Sequence, residues 1–126
     1  DFAPTLLDFA GIEAPQEMQG RSFRPVAAGQ TPGDWRTAMY YHYYEYPHGW
    51  HDVKKHEGVR TGRYKLIHFY DDIDAWEFYD LREDPRELRN RVDDPAMQGV
   101  LTEMKQRLDS LRTHYRVPAN REELVR

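Results

Sequence analysis

The sequence predicts an α+β fold, a small antiparallel sheet of about four strands packed against one long C-terminal helix. Residues 37–46, TAMYYHYYEY, are dense in rings that suit a pleated, half-buried surface. Two further short apolar runs flank Thr61-Gly62, and a third follows the turn-forming Asp71, Asp72 and Asp74. Then Met97, Leu101, Met104, Leu108, Leu111 and Tyr115 recur at steps of three or four, which places them on one face of a helix. A chain of 126 residues suffices for about one small domain. Its aromatic content of 13% marks it as folded despite a mean hydropathy of −0.96.

Residues 1–11 read as a short helix already under way, with Asp1 before the first turn, Pro4 tolerable there, and Gly11 at its end. That abrupt opening predicts a longer parent. Residues 13–21 form a connection, after which Ser22 is placed to cap a brief turn ending near Gly29. Strands are expected at 37–46, 57–61, 63–70 and 76–81, with a loop at 47–55 because Pro47 cannot donate to a ladder. Asp84, Pro85 and Glu87 fit an N-cap, a first-turn proline and a capping box, which predicts one helical turn after the sheet. Asp94 and Pro95 repeat the device at the start of the long helix, expected over 95–116 and stopped by Pro118.

The formal charge of −4 argues against a nucleic-acid binder, and no run approaches the ~20 apolar residues of a membrane span. Charge is nevertheless uneven. Lys54, Lys55, Arg60, Arg63 and Lys65 precede an acidic segment holding Asp71, Asp72, Asp74, Glu77, Asp80, Glu83 and Asp84, and the two are expected to pair in space. Cysteine is absent, which excludes a disulfide framework, a thiolate nucleophile and Cys-based zinc.

His42, His48, His51 and His56, with Asp52, have metal-ligand chemistry, but their spacing matches no compact zinc site and no metal is assigned. Ser22 and Ser110 lack the Gly-flanked setting of a serine nucleophile. No catalytic residue follows from the residues themselves. A different chemistry is suggested by the ring-rich stretch Tyr44, Tyr46, His48, Trp50 and His51, which leads into Lys54, Lys55 and His56. Flat rings pack on sugar C–H groups, and Lys, Arg and His hydrogen-bond an anion, a combination suited to an anionic carbohydrate. The competing reading has rings filling the core and the cations neutralised by residues 71–84.

Four stretches in order, DFAPTLLDFAGI at 1–12, MQGRSF at 18–23, HEGVRTGRYKLI at 56–67 and EFYDLREDPRELRN at 77–90, resemble the C-terminal part of type I, formylglycine-dependent sulfatases. The resemblance covers about residues 1–117. It implies that 1–30 is the end of the sulfatase catalytic domain with its connection, and that 31–126 is the C-terminal subdomain. It also implies hydrolysis of a sulfate ester, with formylglycine and calcium held by the catalytic domain, because the C/S-x-P-S/A-R motif does not occur here. The chain alone is therefore expected to be inactive, with the catalytic domain as its partner and self-association through an exposed apolar face. For a bacterial parent the expected location is periplasmic or extracellular. His56, just before the GVRT-like strand, is the expected substrate contact, donating to a sugar oxygen, with Tyr46, His48 and His51 as weaker candidates. A stand-alone carbohydrate-binding or scaffold module is the alternative.

Overall fold

The computed structural model describes residues 1–46 and 52–119, so His48 and His51 lie outside the described residues. The chain divides into two units, Asp1–Arg36 and Thr37–Arg126.

In the first unit, α1 (Phe2–Phe9) is closed by Gly11 at a φ of 70°, with the Ile12 amide donating back to the Leu7 carbonyl at 2.9 Å. Two of the stretches that carry the family resemblance are the two halves of one knot here. The Asp1 side chain does not cap α1; it accepts from the Arg21 amide at 2.8 Å and pairs with Arg36. Thr5 is buried, donating to the Asp1 carbonyl at 2.7 Å and accepting from the Phe23 amide at 3.0 Å. Phe2 meets Phe23 edge to face. Gly20 is needed because a Cβ there would stand 2.7 Å from the Asp1 nitrogen. Ser22 precedes a brief helix, α2 (Arg24–Ala27), and its hydroxyl accepts from the Arg24 amide at 3.3 Å while donating to Asp8 at 2.6 Å, with Phe23 at the cap position. That bond and Arg24 hold the Asp8 carboxyl below its usual range.

In the second unit, β1 (Ala38–Tyr43), β2 (His56–Thr61), β3 (Tyr64–Phe69) and β4 (Ala75–Asp80) form an antiparallel meander in the order β1-β2-β3-β4. The first strand is shorter than the expected 37–46. Tyr43 pairs with His56, the first residue of β2, and Tyr44–Tyr46 have no ladder partner among the described residues. The hairpin turn at Gly62-Arg63 is held by Thr61, whose hydroxyl accepts from the Tyr64 amide at 2.9 Å.

Register sorts the side chains into rows. Tyr40, Val59, Leu66 and Phe78 lie across the face covered by α3 (Gln98–His114). Val59, Leu66 and Phe78 join Met97, Leu101, Met104 and Leu108 in the core, with Leu111 packed beside them, so the helical stripe faces the sheet as its spacing predicts. Asp94 caps the entry by accepting from the Ala96 amide at 2.9 Å; residues Pro95–Met97 form a 3-10 turn before the α-helix begins. The exit comes two residues before the expected 116. Arg116 takes a φ of 53°, and the Val117 amide donates to the Arg112 carbonyl, so a left-handed residue ends the helix ahead of Pro118.

The expected helical turn at Asp84-Pro85 does not form. Glu87 has a φ of 56° and sends its carboxylate to Lys65 at 2.6 Å, while Asp84 accepts from the Arg89 amide. The capping box is abandoned because this segment runs back along β4 and completes its open edge. Asn90 accepts from the Phe78 amide at 2.9 Å and donates to the Trp76 carbonyl, and the Arg91 amide reaches the Phe78 carbonyl. Asp80, 1% exposed, receives both Nε and Nη2 of Arg63. The guanidinium holds its carboxyl well below the usual range.

Candidate functional site

The site is built at the end of the sheet where the loop after β1 re-enters at His56. Alternation turns His56 away from α3, into a row formed by Tyr43, His56, Phe69 and Ala75. The imidazole stacks on Tyr43 with ring centroids 5.5 Å apart, tilts against Phe69 at 5.2 Å and meets the edge of Tyr41 at 6.0 Å. Its Nδ1 lies 2.8 Å from the Lys54 carbonyl. A carbonyl only accepts, so Nδ1 carries the proton and Nε2 of the neutral ring is an acceptor. With Nδ1 committed to that carbonyl, Nε2 donates only when the ring is protonated.

Glycine beneath this row has a steric cause. A Cβ on Gly58 would stand 2.4 Å from the Tyr41 hydroxyl and 2.5 Å from the Leu66 carbonyl, so Tyr41 lies across the strand where no side chain rises. Burial pushes the Tyr41 hydroxyl up and keeps it neutral. Among the described residues, the Tyr41 and Tyr43 hydroxyls are buried without a hydrogen-bond partner.

Tyr46 is not brought onto the imidazole. Its hydroxyl accepts from Lys54 Nζ at 2.5 Å, and the same ammonium donates to Asp72 at 2.5 Å. Lys55 pairs with Asp71 at 2.9 Å, and the Tyr70 amide donates to the Lys55 carbonyl. Together with Arg63–Asp80 these contacts realise the expected pairing of the basic and acidic segments. Lys65 departs from it by choosing Glu87.

On the opposite face, the row His42, Glu57, His68 and Trp76 carries a polar network that sequence reasoning missed. Glu57 is 0% exposed; it accepts from Tyr40 at 3.0 Å and pairs with Arg112 of α3 at 3.4 Å. Burial, and then the Glu57 charge, push the Tyr40 hydroxyl up, so it remains a donor. His42 Nε2 and the Tyr70 hydroxyl are 2.5 Å apart. His68 stacks on Trp76 with centroids 4.0 Å apart and donates from Nε2 to Asp74. This network ties helix to sheet, and the only hint of it in the sequence was period-two alternation, which requires the register to interpret.

The groups that a sulfatase uses for bond breaking do not fit these residues. Ser22 is committed to Asp8 and followed by Phe-Arg-Pro, Ser110 lies within α3, and among the described residues no cluster of three or more His, Asp or Glu could hold a metal ion.

Comparison with known proteins gives the family. Residues 1–114 match the family model for the C-terminal region of N-sulphoglucosamine sulphohydrolase. The chain is 52% identical over 118 residues to an N-acetylglucosamine-6-O-sulfatase of Bacteroides thetaiotaomicron, covering 92% of this chain and 21% of that protein. It is 32% identical over 112 residues to a Δ4,5-hexuronate-2-O-sulfatase of the same organism, covering 86% and 22%. A solved structure described as complexed with its substrate D-glucosamine-2-N,6-O-disulfate superposes with a TM-score of 0.89 at 49% identity, covering 97% of this chain and 25% of that one. The chain thus spans about a fifth of the length of the curated relatives it matches. The match takes in α1, the whole meander and α3, and the chain belongs to the family of sulfatase C-terminal regions.

Proposed function

We propose that this chain completes the fold and one wall of the substrate cleft in an enzyme that hydrolyses sulfate esters of an amino sugar, and that His56 contacts the sugar. The identity of 52% to an N-acetylglucosamine-6-O-sulfatase carries this reading. The formylglycine nucleophile and the calcium belong to the catalytic domain of the same polypeptide. What these residues supply is binding: an imidazole gripped by Tyr43 and Phe69, with Nε2 available to a sugar hydroxyl and rings that match the apolar face of a pyranose. The exposed side of α1, formed by Phe2, Leu6 and Phe9, is where the catalytic domain packs, and in the isolated chain it drives self-association. The stand-alone binding module is not favoured, because the match runs through the framework residues of both units.

The test is sulfate release. The intact sulfatase carrying residues 1–126 is expected to liberate sulfate from N-acetylglucosamine 6-sulfate, and the 126-residue chain by itself to release none. No release by the intact enzyme, or turnover by the purified chain that survives repurification, would overturn the reading.

A further inference from the structure

Lys54 meets His56 through its main chain and the rest of the loop base through its side chain. Its carbonyl accepts from Nδ1 of the imidazole at 2.8 Å. Its ammonium, one-third exposed, reaches the Tyr46 hydroxyl and the Asp72 carboxylate, each at 2.5 Å, and lies 4.1 Å from the centre of the Tyr46 ring. Tyr46 precedes the loop that ends at His56, and Asp72 belongs to the turn between β3 and β4. One side chain thus fastens both sides of the loop base to the neighbouring turn. The adjacent contacts, Lys55 to Asp71 and the Tyr70 amide to the Lys55 carbonyl, fix the same peptide from the other side.

We propose that Lys54 is the positioning residue for His56: its clasp on Tyr46 and Asp72 holds the 54–55 peptide so that the carbonyl of Lys54 selects the tautomer with Nδ1 protonated and leaves Nε2 to accept from the substrate. The inference rests on the reading of His56 as a substrate contact. An exposed ion pair stabilises a fold little, so the clasp acts on orientation more than on stability. Its charges persist through the neutral range. Asp72 is held below its usual 3.8 by Lys54, so that contribution is present above 3.8 and lost only as pH falls through the lowered value. Lys54 is raised above 10.5 by Asp72 and then Tyr46, so its contribution is lost only at higher pH still.

The experiment is steady-state kinetics of the intact sulfatase on N-acetylglucosamine 6-sulfate for Lys54→Met, Lys54→Arg, His56→Ala and the Lys54→Met/His56→Ala double variant, each with its melting temperature. Lys54→Met is expected to lower kcat/KM about three- to tenfold, through KM rather than kcat, with Lys54→Arg recovering most of the loss. The double variant is expected to be no worse than His56→Ala, since a positioning residue has nothing left to position. Should Lys54→Met fail to fold, Asp72→Asn, which retains the lysine, carries the same expectation. Impaired His56→Ala beside an unimpaired Lys54→Met, or losses that add in the double variant, would overturn the role of Lys54 alone. Wild-type kinetics in His56→Ala would overturn the substrate contact on which it rests.

Discussion

Replacing Arg112 with methionine is expected to destabilise the Thr37–Arg126 unit by about 3–5 kcal/mol, the usual cost of removing one member of a buried ion pair. Glu57 has no exposure to water, and Arg112 is the cation that reaches it from α3. Methionine keeps the length and most of the apolar stem, so the loss reports the guanidinium. The Tyr40 hydroxyl remains hydrogen-bonded to the carboxylate, and His68 Nδ1 stands 3.9 Å from its other oxygen. Chemical denaturation of Arg112→Met, Glu57→Gln and the double variant gives the coupling directly. A coupling of about 1–3 kcal/mol is expected for groups in contact. Strictly additive losses would show that the pair is incidental to the docking of helix on sheet.

Truncating Leu108 to alanine is expected to cost about 2–5 kcal/mol, from lost transfer energy and the cavity left behind. Leu108 is 1% exposed and lies in the core with Val59, Leu66 and Phe78, the residues that form the centre of the sheet. A sheet on one side and a single helix on the other leave few neighbours able to collapse into the void. Urea unfolding followed by circular dichroism measures it. A loss below about 1 kcal/mol would mean that the helix is held by its polar contacts rather than by this stripe.

The two variants probe features that differed in how plainly the sequence declares them. Leu108 was legible because helical spacing is a local property: residues three and four apart share a face whatever the rest of the chain does. Glu57 was not, because its burial depends on pairing opposite His42 and His68, and register is a long-range result. The same reason hid the company of His56. Tyr43 and Phe69 stand 13 residues away on either side of it, and only the ladder makes them its neighbours. At Asp84-Pro85 a local signal was overruled, since closing the edge of β4 and pairing Glu87 with Lys65 outweigh one turn of helix. Tyr46 came from the sequence as a ring, and its contact with Lys54 needed the structure to show it. Of the stretches that carry the family resemblance, 1–12 and 18–23 hold each other together and 56–67 opens with His56, while His48 and His51 lie outside the described residues.

The most direct measurement of the central claim is kcat/KM of the intact sulfatase for N-acetylglucosamine 6-sulfate, wild type against His56→Ala, with the melting temperature of both. A hydrogen bond that serves substrate binding predicts a loss of about threefold to tenfold at an unchanged melting temperature. Unchanged kcat/KM, or a loss that appears only as unfolded protein while the surviving fraction works normally, would contradict the account and make His56 a structural member of its aromatic row.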